Sequence, residues 1–462
     1  MKHSKSKLTM IKLATVFFAF GVLTCILNAE DVKLIEISEM QLNPVEIPQA
    51  STKVELRKNL NGDWRIYLDE TEFPIRGAGG AVTPGFLEQL KLAGGNCVRT
   101  WGIDALDKKM PGDELFIDRA YRLGIMVVPG IWIGHERHGF NYSDPAAVKK
   151  QRDEVLNSVK KYKNHPGVLV WGLGNEMEGP SSQQGSIAVF KEIEELAKLI
   201  KSEDPNHPVM TVIAYNPAKI PNILTYCPSI DILGVNTYGG AAGIGEGLRK
   251  TGWKKPFAVT EFGVKGFWEV PVTEWGAPLE PTSQEKAAQY FSSHTLVFDT
   301  NDGKELCLGT FAFLWGWKQE RTSTWFGMFL PTLEKLPQVD AMTKAWLGKW
   351  PANRCPKITE FSSEAYGKTI KPGITVVARV EAVDPEGDVL SYDWMVFSEA
   401  TDLREGGEAE SAPASHPQLI KQNNAKDCVF ASPETPGNYR LFLTVRDNRG
   451  GAATANFPFR VK

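Results

Sequence analysis

Cysteine is scarce in this chain: six in 462 residues, at positions 25, 97, 227, 307, 355 and 428, with no Cys-x-x-Cys anywhere. Such spacing excludes a disulfide framework and a zinc ribbon or finger. Cys97 and Cys307 sit inside apolar runs, where a buried, inert thiol is expected. Runs of like charge are also missing, and the formal net charge is only -3. Neither a nucleic-acid face nor a polybasic membrane surface is therefore expected. No Gly-x-Gly-x-x-Gly opens a helix, and there is no phosphate-cradling loop, nucleophilic-serine elbow or metal-ligand spacing. Those absences remove the dinucleotide, nucleotide, serine-hydrolase and zinc classes, and no cofactor or metal is expected.

Long hydrophobic runs are lacking too. The longest apolar stretch, 13–27, falls short of the ~20 residues a membrane span requires. It follows Lys2, Lys5, Lys7 and Lys12 and precedes the small residue Ala29. That order predicts an export signal over residues 1–29 and hence an exported protein with no membrane span after its removal. Oligomeric state is not legible.

What is present is an ordinary globular composition, 42% hydrophobic and 23% charged, in a chain long enough for two domains. After an extension over 30–58, residues 59–350 alternate short β-branched runs with amphipathic stretches, the pattern of a parallel sheet with crossover helices. Eight strands are expected near 73–79, 96–102, 125–134, 168–176, 209–214, 230–238, 257–263 and 308–317. The fold class is therefore α/β, a (β/α)8 TIM barrel. A hairpin around Asn61-Gly62 is expected to plug its bottom. Residues 351–356 read as a linker, and 357–462 as an all-β immunoglobulin-like sandwich of short alternating strands. The barrel is expected to work without that sandwich.

Functional groups of such barrels gather at the C-terminal ends of the strands. The fourth strand ends at Asn175-Glu176 and the seventh at Thr260-Glu261. Two rim carboxylates are what glycoside cleavage needs: a proton donor for the leaving oxygen and a carboxylate on the opposite face of the sugar. A lone strand-end glutamate is as often a solvated or paired charge; the pair is the signal. Trp101, Trp132, Trp268, Trp275, Trp317 and Trp325 fall at or beyond strand ends, where aromatic faces stack on sugar rings. A carbohydrate is the expected partner. His135, beyond the third strand, is as much a structural histidine as a substrate contact.

The segment Asn164-His165-Pro166-Gly167-Val168-Leu169-Val170-Trp171-Gly172-Leu173-Gly174-Asn175-Glu176 resembles the acid/base segment of glycoside hydrolase family 2 barrels, members of the clan A retaining glycosidases. Thr260-Glu261-Phe262-Gly263 resembles their nucleophile segment. The resemblance implies a retaining glycosidase acting on β-linked O-glycosides, with Glu176 as acid/base, Glu261 as nucleophile and Asn175 donating to the substrate 2-hydroxyl. It further implies that Arg99 and Tyr238 hold the nucleophile and that Trp315 floors the sugar site, beside Trp132 and His135 as substrate-binding candidates. Family 2 enzymes carry two β-domains before the barrel, whereas little precedes it here, so their substrates do not transfer. A β-glucanosyltransferase-type transglycosylase and a non-catalytic glycan-binding barrel are the rival readings. Asp384-Pro385-Glu386-Gly387-Asp388 with Leu390-Ser391-Tyr392-Asp393-Trp394 resembles the polycystic-kidney-disease-like and cadherin-like modules of extracellular enzymes.

Overall fold

The structure is a computed structural model that describes residues 46–179, 186–404, 407–408, 410–423 and 426–462. The expected export signal and most of the expected extension lie outside them. Among the described residues no helix is long and apolar enough to cross a membrane.

Strands β1 (Val54–Lys58) and β2 (Trp64–Leu68) pair antiparallel, Lys58 opposite Trp64. Gly62 takes φ 87° in the turn, where a side chain would be strained. The Asn59 side chain accepts from the amides of Asn61 and Asp63, and β3 (Thr71–Glu72) completes this small sheet. Val54 and Ile66 share a core with Ile75, Cys97, Leu169, Met210, Ile232 and Phe311 from the barrel strands. The hairpin thus seals one end of the barrel with apolar side chains, as its alternation predicts.

The barrel comprises β4 (Ile75–Gly80), β5 (Cys97–Arg99), β6 (Met126–Val128), β7 (Gly130–Ile131), β8 (Trp171–Leu173), β9 (Val209–Ala214), β10 (Ile232–Asn236), β11 (Phe257–Phe262) and β12 (Cys307–Trp315). They form one parallel sheet in the order β6-β5-β4-β12-β11-β10-β9-β8-β7. Its two edges, β6 and β7, are one strand interrupted at Pro129, whose missing N–H cannot join the ladder. An added Val127–Val168 bridge brings the edges together, so nine segments fill eight positions and all eight expected strands appear.

Helices α1 (Pro145–Tyr162) and α2 (Ile187–Glu203) follow the third and fourth strand positions. Asp144 caps α1 by accepting from Ala146 and Ala147, with Pro145 at its first position. Ser186 caps α2, and Val189, Ile193, Leu196, Ala197 and Ile200 form its buried stripe. Helix α3 (Ser283–Leu296), opened by a Thr282–Glu285 capping box, and α4 (Pro337–Leu347) flank the last strand.

Beyond α4, two four-stranded sheets share one core. The first runs β13 (Lys357–Ser363), β15 (Thr375–Val383), β18 (Asp427–Ala431), β17 (Ile420–Gln422). The second runs β14 (Thr369–Ile370), β20 (Ala452–Val461), β19 (Gly437–Arg446), β16 (Ser391–Ser398). Alternate residues Val376, Ala378, Val380 and Ala382 of β15 face Trp394, Leu441, Leu443 and Phe457, the period-2 pattern of a sandwich. In the acidic turn, Glu386 pairs with Arg354 and Asp388 with Arg449.

The seam between barrel and sandwich is not a loose linker contact. Glu280, beyond the seventh barrel strand, is fully buried and pairs with Lys286. It accepts from the hydroxyls of Thr322 and Thr324 at 2.6 and 2.7 Å and from Asn456 Nδ2 of β20 at 2.7 Å. Asn456 Oδ1 accepts in turn from buried Arg440 at 2.7 Å. Burial pushes the Glu280 carboxyl up, and the charges of Lys286 and Arg440 more than offset it, leaving it lowered. The separability expected from sequence is therefore revised. A chain ending at Ala352 exposes this charged cluster and is expected to lose native near-UV circular dichroism. Within the full chain, Asn456→Ala removes partners from two buried charges and should cost about 1–3 kcal/mol in urea unfolding; an unchanged midpoint would show that the seam does not matter to stability.

Candidate active site

Because side chains alternate along a strand, residues two apart leave a strand end on the same face. Arg99 and Trp101 leave β5 this way, as do Asn236 and Tyr238 at β10. All four turn toward the two glutamates. Arg99 Nη1 donates to Glu261 Oε1 at 3.0 Å and Nη2 to Asn175 Oδ1 at 2.7 Å. Trp101 Nε1 donates to the same Glu261 oxygen at 2.9 Å, and Tyr238 Oη to Glu261 Oε2 at 2.7 Å. Three donors from the second and sixth strand positions thus fix a carboxylate delivered by the seventh. Burial, then the Glu261 charge, raises the Tyr238 phenol well above its usual value, so it remains a donor.

Glu176 stands differently. Gly174 and Glu176 both take positive φ, 72° and 51°, turning the chain sharply out of β8, and the Glu176 amide donates to Val212 of the next strand at 2.8 Å. For a non-glycine residue that backbone costs roughly 1–2 kcal/mol. Among the described residues its carboxyl accepts one side-chain hydrogen bond, from Asn236 Nδ2 at 2.9 Å. Asn236 is itself oriented by Thr260, which donates to its Oδ1 at 2.7 Å. Burial first, then the neighbouring Glu261 charge, raises Glu176 to about 7. One carboxyl is held by three donors and the other keeps its proton near neutrality, the separation of roles that acid/base pairs require.

Behind Glu176 lies a buried ion pair that sequence reasoning missed. Glu178 Oε1 meets Lys219 Nζ at 2.6 Å, and both side chains are almost wholly buried. Glu178 also accepts from the Ala214 amide at 3.0 Å, and Lys219 donates to the Gly179 carbonyl at 3.2 Å. Burial raises the Glu178 carboxyl, with Lys219 opposing. The pair pins the turn carrying Glu176 to the end of β9.

Most residues expected at the site converge there: Glu176, Glu261, Arg99, Asn175 and Tyr238. Trp315 does not. It is wholly buried, donates to the Phe86 carbonyl at 2.9 Å and packs on Phe329 and Trp346. Phe313, two residues earlier, faces the site instead: its ring contacts Trp101, Tyr238 and Phe326, and the pairing register of β12 shifts between Ala312 and Trp315, so the two side chains do not share a face. His135 is 2% exposed and tilted against Trp132 at 4.8 Å, with both ring nitrogens lacking a hydrogen-bond partner among the described residues. Burial and the adjacent Arg137 and His138 charges hold it neutral, at about 4, so it backs the exposed Trp132. Trp268 and Trp317 are exposed, whereas Trp325 is buried on Phe267 and Trp275 lies under Arg460 of the sandwich.

Breaking a buried pair strands a charge, so Lys219→Met is expected to destabilise the protein by about 3–5 kcal/mol, and Glu178→Gln with Lys219→Met by clearly less. A double-variant loss equal to the sum of the two single-variant losses, measured by chemical denaturation, would mean the two groups are not coupled.

Residues 116–267 match the model of the glycosyl hydrolases family 2, TIM barrel domain. A β-glucuronidase of Streptococcus agalactiae serotype V is 26% identical over 245 residues, 45% of this chain and 38% of that protein. Among solved structures, Bacteroides uniformis β-glucuronidase aligns at 12% identity over 88% of this chain and 48% of its own, with a TM-score of 0.47. An Eisenbergiella tayi β-galacturonidase bound to galacturonate aligns at 18% over 64% and 55%, also at 0.47. The chain thus spans about two fifths to half of the length of these relatives. The segment delivering both glutamates, residues 116–267, is the part of this chain that matches the glycosyl hydrolase family 2 TIM barrel.

Proposed function

We propose that this protein is a retaining glycosidase that cleaves β-linked O-glycosides of an oligo- or polysaccharide by double displacement. One observation carries the reading: a carboxyl raised to about 7 beside a second carboxylate that takes hydrogen bonds from Arg99, Trp101 and Tyr238. Glu176 gives its proton to the glycosidic oxygen while Glu261 attacks the anomeric carbon, and the leaving group departs as an alcohol. Once Glu261 is esterified its negative charge is gone. One cause of the raised Glu176 value goes with it, so the carboxylate then takes a proton from water, which attacks and releases the sugar. Asn175 accepts from Arg99 and Asn236 through Oδ1, so its NH2 is the end presented to the 2-hydroxyl.

A silent, glycan-binding barrel would have no use for a carboxyl raised against a second carboxylate. The printed activity of the streptococcal relative puts aryl β-glucuronides beside neutral aryl β-glycosides in the first substrate screen. The basic and apolar N-terminal segment supports export as part of the same proposal.

Three outcomes are expected on a substrate from that screen. Glu261→Gln lowers kcat/KM by at least about a thousandfold with the fold retained by circular dichroism; a near wild-type rate excludes it as nucleophile. Glu176→Ala with an activated aryl leaving group accumulates glycosyl-enzyme and is rescued by azide to the β-glycosyl azide; an α-azide product argues for another mechanism. The alkaline limb of kcat/KM falls with an apparent value of about 7 as Glu176 loses its proton, and a plateau extending past pH 9 or so would contradict that assignment.

A further inference from the structure

Glu176 stands on backbone that needs holding. Gly174, Glu176 and Gly179 all take left-handed φ, 72°, 51° and 84°, a conformation that costs a glutamate energy although it suits glycine. Such backbone persists only where the surroundings over-determine it. The sheet supplies part of the restraint: the Gly174 amide donates to Ile131 of the third strand position at 2.9 Å, and the Glu176 amide to Val212 of the fifth at 2.8 Å. Beyond Glu176 the chain has left the sheet, and side chains hold the far limb of the turn.

Glu178 and Lys219 make more bonds there than a simple ion pair. Glu178 Oε1 accepts from Lys219 Nζ at 2.6 Å and from the Ala214 amide at 3.0 Å, while Lys219 also donates to the Gly179 carbonyl at 3.2 Å. Lys219 closes a short helical turn, Pro217–Lys219, capped by the Asn216 side chain, which accepts from the Ala218 amide at 2.9 Å. The left-handed turn is thus fastened, at both Glu178 and Gly179, to the end of the fifth strand and the segment after it. Apolar side chains of the same volume would brace the turn at a smaller desolvation cost, but they offer nothing to the Ala214 amide or the Gly179 carbonyl.

The same two groups act on Glu176 through their charges. Among the described residues, the charged and titratable groups around it are Glu261 from the seventh strand position, Tyr238 from the sixth, Arg99 from the second by way of Asn175, Glu178 from its own turn and Lys219 from beyond the fifth. After burial, the Glu261 charge and the Asn236 hydrogen bond, Glu178 pushes the Glu176 carboxyl up and Lys219 pulls it down. Opposed charges leave the proton of Glu176 to burial and Glu261, whereas either charge alone does not.

We propose, on the reading of Glu176 as acid/base given above, that Glu178 and Lys219 are positioning residues of the general acid: their bonds to Ala214 and Gly179 fix the aim of the Glu176 carboxyl, and their mutual neutrality leaves its proton in place. Lys219 and Glu178 are 0% and 2% exposed, and they act on the reaction through Glu176. Two separable effects follow. Aim matters only where the leaving group needs a proton, and charge balance sets the pH at which that proton is lost.

The test compares three full-length proteins, wild type, Glu178→Gln, and Glu178→Gln with Lys219→Met, each checked for fold by circular dichroism. The first measurement uses dinitrophenyl and phenyl β-glycosides of the sugar that the aryl-glycoside screen identifies. Dinitrophenolate departs without a proton, whereas phenolate needs acid help. Both variants are expected to raise the ratio of the two kcat/KM values at least about tenfold over wild type; a folded variant with the wild-type ratio overturns the aiming role. Glu176→Ala separates the failures. If it leaves the ratio unchanged, Glu176 is not the acid and the retaining reading fails; if it raises the ratio and the Glu178 variants do not, only the positioning role fails.

The second measurement needs no turnover: 13C NMR of protein labelled at the glutamate side-chain carboxyls, with the Glu176 signal assigned by its loss in Glu176→Gln. In Glu178→Gln the Lys219 charge is no longer countered by Glu178 and favours the ionised form, so the Glu176 midpoint is expected to fall by about half a pH unit or more, and the double variant to recover most of that shift. No movement in Glu178→Gln, or the same movement in both variants, overturns the charge balance. If Glu178→Gln does not fold, the double variant, which removes both charges together, decides: a wild-type ratio, or a midpoint displaced as far as about half a unit, overturns the proposal. If no glycoside is turned over but the midpoints move as stated, the retaining reading fails while the hold of the pair on Glu176 stands.

Discussion

Arg99 has one guanidinium and carboxylate and amide partners on two other strands. It leaves the second strand position, is 2% exposed, and divides its donors between Glu261 of the seventh and Asn175 of the fourth. Burying a cation is costly unless its charge is compensated, here by Glu261. Satisfying it requires three strand ends at one depth on the barrel rim. That constraint sets the register in which the two glutamates meet, and Trp101 and Tyr238 then add donors to a carboxylate already in place.

Around this centre the protein uses buried charge repeatedly as a fastening. Glu178 with Lys219 holds the turn behind Glu176, and Glu280 with Lys286 holds the eighth-strand loop against the sandwich. Each contributes little net stability compared with an apolar core, because desolvation offsets most of the attraction. What each supplies is position: hydrogen bonds with fixed directions on loops that have no ladder to join. Apolar packing does the complementary work at the other end of the barrel, where Val54 and Ile66 of the hairpin enter the strand core.

The functional consequence is an asymmetry between two carboxyls of the same chemistry. Among the described residues Glu261 accepts from three directed donors and Glu176 from one, Asn236, in a site where burial and the neighbouring negative charge both favour the protonated form of Glu176. Proton affinity is thus distributed by surroundings, and those surroundings are assembled from second, fourth, sixth and seventh strand ends.

Much of this was legible in the sequence. Strand positions follow from β-branched runs spaced by helical stretches, and Asn175-Glu176 and Thr260-Glu261 stand at strand ends whatever the loops do. Alternation by two also places Trp101 on the face of Arg99 and Asn236 on that of Tyr238. Trp315 does not floor the site because the pairing register of β12 shifts between Ala312 and Trp315, and its packing against Phe86, Phe329 and Trp346 turns it into the core while Phe313 meets Trp101 and Tyr238. The pairing of Glu178 with Lys219, 41 residues apart, and of Glu280 with Asn456, 176 residues apart, leaves no local signal. Periodicity and strand-end chemistry were therefore determined by the sequence by itself. Which distant charges neutralise each other, and that the sandwich locks onto the barrel instead of trailing from it, were decided by tertiary structure, because desolvation makes those partners necessary only once the chain has folded.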